Sequence, residues 1–327
     1  MQPSPARHHS PLLSAVVPFL NEAANLPPLI SCLELQLGEL GLAWELVLVD
    51  DGSTDSSLAV AMRELERRPG LRATVLSLSR NFGKEAALTA GLEASRGDVV
   101  VPLDADLQDP PELIGPMLEQ WRQGFDVVYA MRRQRAGESR TKRLTAFSFY
   151  RLMGRLSSTS IPPDTGDFRL MDRCVVEALL QLPERSRFMK GLFAWVGFRQ
   201  TAITYNREPR HGGRSTWNYW KLWNFALDGI TSFSRVPLQV LSGGGVVIAL
   251  LALLYGAWMV LRTLLFGIDL PGYASLITAV LFLGGLQLIG LGVLGEYLGR
   301  VFEEVKGRPL YLVRERWQQG PALEGPR

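Results

Sequence analysis

The chain of 327 residues has two cysteines, Cys32 and Cys174, far apart and without CxxC spacing. That excludes a disulfide framework and a structural zinc site and leaves two reduced thiols at packed positions. No GxGxxG follows the first apolar run and no GxxxxGK[ST] occurs anywhere, so neither usual dinucleotide nor P-loop grip on phosphate is present. The net charge is small, +3 from 35 Lys and Arg against 32 Asp and Glu. Such a balance gives no compositional support for a nucleic-acid partner. Met1–Pro11 is polar, His8-His9 included, with no apolar core of a signal peptide. Residues 1–12 are expected to form a flexible tail, with the large domain left in the cytosol.

Charge is also locally missing. Pro237–Leu261 and Leu270–Gly295 contain no Asp, Glu, Lys or Arg. Each exceeds the ~20 residues that cross a hydrocarbon core. A link containing Arg262 and Asp269 joins them, while Lys221 and Arg235 precede and Arg300, Lys306, Arg308, Arg314 and Arg316 follow. The excess of positive charge outside the pair predicts a hairpin with both termini cytoplasmic. Gly243–Gly245, Gly284-Gly285, Gly290, Gly292 and Gly295 would let such helices approach closely and make a homo-oligomer plausible.

Ahead of the apolar pair, apolar runs alternate with helical patterns. Strands are predicted at 14–18, 45–49, 74–78, 99–103 and 126–130. Helices are predicted from Asn21-Glu22 to about Leu40, from an N-cap at Ser53 or Thr54 to Arg68, and over 84–94 and 111–123. Continuous apolar strands alternating with helices imply a mostly parallel sheet covered on both faces, with ligands at the carboxyl ends of its strands. Pro18, Asp50/Asp51, Arg80/Asn81 and Asp104/Asp106 all fall at those ends. Asp104-Ala105-Asp106 closes a buried run, and carboxylate oxygens suit a hard cation, Mg²⁺ or Mn²⁺, that bridges phosphates. Gln108 offers a further oxygen. Gly137–Ser158 interleaves Arg140, Lys142, Arg143, Arg151 and Arg155 with aromatic and aliphatic residues, as a basic helix on a membrane surface would. Ser215–Arg235 carries Trp217, Tyr219, Trp220, Trp223, Phe225 and Phe233, which fits an interfacial aromatic belt. The expected organisation is a cytosolic domain at 13–214, an interface helix at 215–235, a membrane pair within 236–299 and a cytosolic tail at 300–327.

Several motifs in order carry a resemblance: Val17-Pro-Phe-Leu-Asn-Glu22, Val49-Asp-Asp-Gly-Ser-Thr-Asp55, Ser79-Arg-Asn-Phe-Gly-Lys84, Asp104-Ala-Asp-Leu-Gln-Asp-Pro-Pro111 and Asp164-Thr-Gly-Asp-Phe-Arg169. From about Leu13 to Pro309 the chain resembles family 2 glycosyltransferases of GT-A fold, specifically the polyprenyl-phosphate glycosyltransferases. The resemblance implies a metal-dependent, inverting transfer of a hexose from a nucleotide sugar to undecaprenyl phosphate. UDP-glucose is the favoured donor, with GDP-mannose and UDP-linked amino sugars or aminopentoses as alternatives, and a flippase or second transferase could act downstream. It implies that Pro18, Leu20, Glu22 and Asp51 surround the nucleoside, that Asp104 lies near ribose and metal, and that Asp106 and Gln108 ligate the metal. Asp50 is read either as part of that site or as a turn former before Gly52, and Arg80-Asn81 either as a donor contact or as packing. Asp164 and Asp167 are placed beside the transferred sugar and the acceptor, as orienting groups rather than bases, because a phosphate acceptor is already ionised. Arg132, Lys190, Arg207 and Arg210 are candidates for the lipid phosphate, and His211–Ser215 for a loop over the donor. A processive synthase is disfavoured: Arg316-Trp317 lacks the accompanying glutamine and lies after the spans. A non-catalytic nucleotide-binding scaffold would lack the metal acids, and two spans offer a flippase little path.

Overall fold

The computed structural model describes residues 10–132, 165–185, 187–205, 236–266 and 272–321. Its strands are β1 (Leu13–Phe19), β2 (Trp44–Asp50), β3 (Ala73–Leu78), β4 (Val99–Pro102), β5 (Val127–Arg132), β6 (Thr165–Asp172), β7 (Gln200–Tyr205) and β8 (Val313–Gln319). They form one sheet in the order β7-β5-β6-β4-β1-β2-β3-β8. β1 pairs in parallel with β2 and β4, β2 with β3, and β5 with β7. β6 runs antiparallel to both β4 and β5, and β8 antiparallel to β3. The result is the mostly parallel, helix-covered α/β sheet of the GT-A type.

Parallel strands need crossovers, and the crossovers are helices: α1 (Leu26–Glu39), α2 (Ser57–Glu66), α3 (Lys84–Ala94) and α4 (Ile114–Arg122), with α5 (Arg173–Leu180) and α6 (Met189–Trp195) after β6. Burial on both faces explains why β1 reads as an unbroken apolar run. Leu13, Ala15, Val17 and Phe19 point into one core with Leu26, Leu29, Ile30, Leu33 and Leu37 of α1. Val16 points into the other, with Ala87, Leu88 and Ala90 of α3. Each such leucine or isoleucine, fully buried, stabilises the fold by about 1.5–3 kcal/mol. The α3 face is made of small residues because it lies close on the sheet. A Cβ on Gly91 would stand 2.3 Å from Val16 Cγ1.

Several boundaries differ from expectation. α1 starts at Leu26, not at Asn21-Glu22, because Asn21 adopts a positive φ of 56° and the chain makes a further turn before Leu26, Pro27 and Pro28 open the helix. Ser53 and Thr54 do not cap α2. Its N-cap is Ser56, and Ser53 and Thr54 instead bond to the Asn21 loop. α2 ends at Glu66, and Arg68 lies beyond it. The segment 111–123 divides into a 3-10 turn at Pro111–Leu113 and α4.

Two long helices follow: α7 (Val236–Phe266) and α8 (Tyr273–Lys306), of 31 and 34 residues. Both are long and apolar enough to cross a membrane. Arg262 lies inside α7 rather than in the link. Among the described residues, the glycines of the two helices have open space where a Cβ would sit, so no close approach there uses them. α8 runs on past Gly295 through Glu296, Arg300, Glu303 and Glu304 to Lys306. Within the tail expected at 300–327, the chain first continues α8 and then adds β8 to the sheet. Trp317 pairs with Val75 there and packs on the core. Ser79 N–H donates to Leu312 O at 2.9 Å, and the Gln319 amide donates to the carbonyls of Leu65 at 3.0 Å and Arg68 at 2.9 Å.

Candidate active site

The site is assembled from loops at the carboxyl edge of the sheet. After β1, Asn21 stitches two of these loops together. Its Oδ1 accepts from Thr54 N–H at 2.9 Å, and its own N–H donates to Ser53 Oγ at 3.0 Å. Glu22 N–H donates to Ser57 Oγ at 2.8 Å, and Glu22 Oε2 accepts from the Asn25 amide at 2.5 Å. Pro18 is buried within β1, while Leu20 is exposed at the loop.

β2 ends in two acids with different tasks. Asp50 turns inward and is 2% exposed. It accepts from Ser53 N–H at 2.9 Å and Ser77 Oγ–H at 3.2 Å, so it is a turn former. Asp51 accepts from the N–H groups of Phe82 at 2.8 Å and Gly83 at 3.0 Å, which ties the β2 turn to the start of α3. Burial pushes the Asp51 carboxyl above its ordinary range despite these bonds. Arg80 lies over the Phe82 ring at 4.2 Å and donates to Asn81 O, and both Arg80 and Asn81 are exposed.

The loop after β4 holds the acids around Asp104. Leu107, with φ of 59°, reverses the chain, and Gln108 N–H donates to Asp106 Oδ1 at 3.2 Å. Asp104 N–H donates to Asp109 Oδ2 at 3.2 Å. Burial, then the charge of Asp104, push the Asp109 carboxyl up to about 7. β6 brings in Asp167. Val99 pairs with Asp172 and Val100 with Met171, which lays β6 beside β4. Lys84, first residue of α3, joins them: its Nζ is 2.6 Å from Asp104 Oδ1 and 2.6 Å from Asp167 Oδ2.

Burial favours the neutral forms of Lys84 and Asp167, but their mutual attraction wins, raising the first and lowering the second. Lys190, near the start of α6, adds to the lowering of Asp167. Glu85 sits behind this pair. Burial first, and then Asp167, push its carboxyl up to about 7. Arg169 is 4% exposed, lies 3.7 Å over the Phe193 ring and donates to Gly166 O at 2.8 Å, which fixes the backbone beside Asp167. Burial lowers its guanidinium to about 10.

The fit to a divalent cation rests on oxygens. Gln108 is 7% exposed, and its Oε1 is buried without a hydrogen-bond partner among the described residues. Among the described residues no three His, Cys, Asp or Glu side chains close a metal cage. A cation held by one or two carboxylates and completed by substrate phosphates and water needs no cage. Asp104, Asp106 and the Gln108 amide oxygen fit that kind of binding.

The structure brings together Asp104, Asp106, Gln108 and Asp167, with Asp51 and Glu22 on neighbouring loops. Arg132 ends β5 opposite Tyr205. Asp164, Arg207, Arg210 and the segments Gly137–Ser158, His211–Ser215 and Ser215–Arg235 lie outside the described residues. Sequence reasoning gave no role to Lys84, Glu85, Asp109 or Arg169. Lys84, Asp109 and Arg169 stand inside quoted motifs and Glu85 directly follows one, which is the only signal that could have flagged them.

Residues 14–180 match the family model described as Glycosyl transferase family 2. An uncharacterized glycosyltransferase of Synechocystis is 55% identical over 305 residues, 93% of this chain and 95% of that protein. A bactoprenol glucosyl transferase of Shigella phage SfII is 46% identical over 313 residues, 94% of this chain and 99% of that protein. The crystal structure of mannosyl-3-phosphoglycerate synthase from Rubrobacter xylanophilus is 22% identical with a TM-score of 0.47, over 72% of this chain and 75% of that one.

Proposed function

The chain belongs to glycosyl transferase family 2, and from that premise we propose that it transfers glucose from UDP-glucose to a polyprenyl phosphate, undecaprenyl phosphate in bacteria, at the cytoplasmic face of the membrane. The similarity to bactoprenol glucosyl transferases along nearly the whole chain supports acceptor and sugar. One structural observation carries the reading: the acids of the site, the carboxyl end of β7 that precedes α7 in the chain, and the return from α8 lie at the same edge of one sheet. β7 leaves for α7 from Tyr205, opposite Arg132, and α8 returns through Leu312 beside Ser79.

The chemistry is a displacement at the anomeric carbon. A lipid phosphate oxygen forms the new bond as the bond to the diphosphate oxygen breaks, the configuration inverts and UDP leaves. The attacking oxygen is anionic at neutral pH, so no base is required. Asp167, held ionised by Lys84, is a poor base and suits an orienting role. Asp104, Asp106 and Gln108 would hold Mg²⁺ or Mn²⁺, which would neutralise the leaving diphosphate. Asp51 and Glu22 form the nucleoside end. Arg132, Lys190, Arg207 and Arg210 are assigned to the lipid phosphate, and Asp164 to the acceptor side with Asp167. α7 and α8 form the hairpin, with both termini cytoplasmic.

Purified protein incubated with undecaprenyl phosphate, Mg²⁺ or Mn²⁺ and a panel of nucleotide sugars tests this by lipid mass spectrometry. A hexosyl phospholipid formed with UDP-glucose is expected. A product only with GDP-mannose or a UDP-amino sugar would overturn the donor, and none with any donor would overturn the transferase reading.

A further inference from the structure

Lys84 occupies an unfavourable place for a cation. It is the first residue of α3, at the positive end of the helix dipole, where an acid is the stabilising choice by about 0.3–1 kcal/mol. It is held there by two carboxylates from separate elements, Asp104 after β4 and Asp167 in β6, each 2.6 Å from Nζ. Without it these acids would face each other with Asp106 nearby. The Lys84 side chain is 45% exposed and the Asp104 side chain 35%, and the ammonium sits on a flexible stem. Two buried oxygens of the site, Gln108 Oε1 and Asp167 Oδ1, have no hydrogen-bond partner among the described residues.

We propose that Lys84 is an internal counter-ion that stands in for the divalent cation in the donor-free site and must release Asp104 for the cation to bind. The inference rests on the metal reading above. Loading then separates the two acids electrically: Asp104 passes to the cation and Lys84 stays with Asp167 on the acceptor side. Lys84 is thus a positioning residue that makes cation binding a competition and ties the metal half of the site to the acceptor half.

The test is Mn²⁺ binding, read as free Mn²⁺ by electron paramagnetic resonance, on the full-length protein in detergent without lipid acceptor. Wild type, Lys84→Met, Lys84→Gln and Lys84→Arg are titrated with and without UDP. Removing a unit charge a few ångströms from a divalent ion should tighten donor-free Mn²⁺ binding about tenfold or more in Lys84→Met. Lys84→Arg should stay near wild type. Lys84→Gln serves as the second neutral variant should the Met variant fail to fold. Donor-free affinity unchanged or weakened in the folded neutral variants would overturn the counter-ion role, whatever happens to transfer. Mn²⁺ uptake by wild type with UDP, but by no variant without it, would overturn it too. Absence of Mn²⁺ binding in every sample, UDP included, would overturn the metal reading and the inference with it.

Discussion

Gly52 follows the two acids of β2 with φ of 73°. A Cβ there would lie 2.5 Å from Arg80 C, 2.7 Å from Asn81 N and 3.0 Å from Arg80 Cα, all backbone atoms that no side-chain rotation can clear. Gly52→Ala therefore carries two costs. The left-handed conformation costs about 1–2 kcal/mol, and forced repacking a further 1–3 kcal/mol or so. The overlap is relieved only if the Arg80-Asn81 backbone withdraws, and that strand of chain continues into the Phe82 and Gly83 amides bonded to Asp51. Part of the cost should thus appear as lost nucleotide affinity.

Gly41 provides the control. Its φ is 64°, and nothing lies within 4 Å of its would-be Cβ, so Gly41→Ala has the conformational cost alone. Thermal unfolding should place Gly52→Ala lower than Gly41→Ala by several degrees, at about 2–4 °C per kcal/mol for a domain of this size. Isothermal titration with UDP should show about a tenfold loss for Gly52→Ala and none for Gly41→Ala. Equal melting temperatures and equal UDP affinities in the two variants would refute the close approach and its link to Asp51.

Asp106→Asn should leave the protein folded and nearly abolish transfer, measured as radiolabelled sugar in organic-extractable lipid; full activity in excess chelator would remove the metal from the mechanism. Glu85, pushed from an ordinary 4.5 up to about 7, binds its proton more tightly in the folded state. Its contribution is fully present below about pH 4.5 and is lost as pH rises through 7, so stability falls over that window by about 3 kcal/mol. Glu85→Gln should flatten that part of the denaturation profile, and an unchanged slope would assign it to other groups. A cysteine placed at Gly267, between the two long helices, should react with an impermeant maleimide only from the periplasmic side; labelling only from the cytoplasm would refute the hairpin.

Much of the sheet was legible because β1 to β4 are buried on both faces, and a continuous apolar run admits few other readings. Asp104, Asp106 and Gln108 were legible from chain position alone, directly after such a run. Lys84 was not. Its partners stand 20 and 83 residues away in sequence, and a lone lysine at a helix start carries no periodic signal. β8 was hidden for a related reason. It is an edge strand whose side chains are mostly exposed, so Val313–Gln319 reads as a polar tail, and what holds it is backbone pairing with β3, which no side-chain pattern advertises. The start of α1 was misplaced because Asn21-Glu22 looks like a helix opening, whereas the Asn21 carboxamide is spent on joining two loops of the site.

The placement of β8 bears on the acceptor. The carboxyl edge of the sheet holds Asp51, Asp104, Asp106 and the first half of β6 with Asp167. The carboxyl end of β7 lies at that same edge, and the end of α8 is tied down there: Glu304 Oε1 accepts from Arg185 N–H at 2.8 Å, and Leu312 O from Ser79 N–H. The charge-free part of α8, Tyr273–Gly295, has 23 residues, or about 34 Å of helix, close to the thickness of a hydrocarbon core. The charged remainder to Lys306 adds about 16 Å. Under the proposed hairpin, that remainder spans the headgroup region and sets the standoff between the bilayer and the acids of the site. A soluble acceptor would require no such spacing. An acceptor whose phosphate sits at the headgroup level while its chain stays in the hydrocarbon would, and pairing the last strand to β3 keeps the standoff fixed as donor and product exchange.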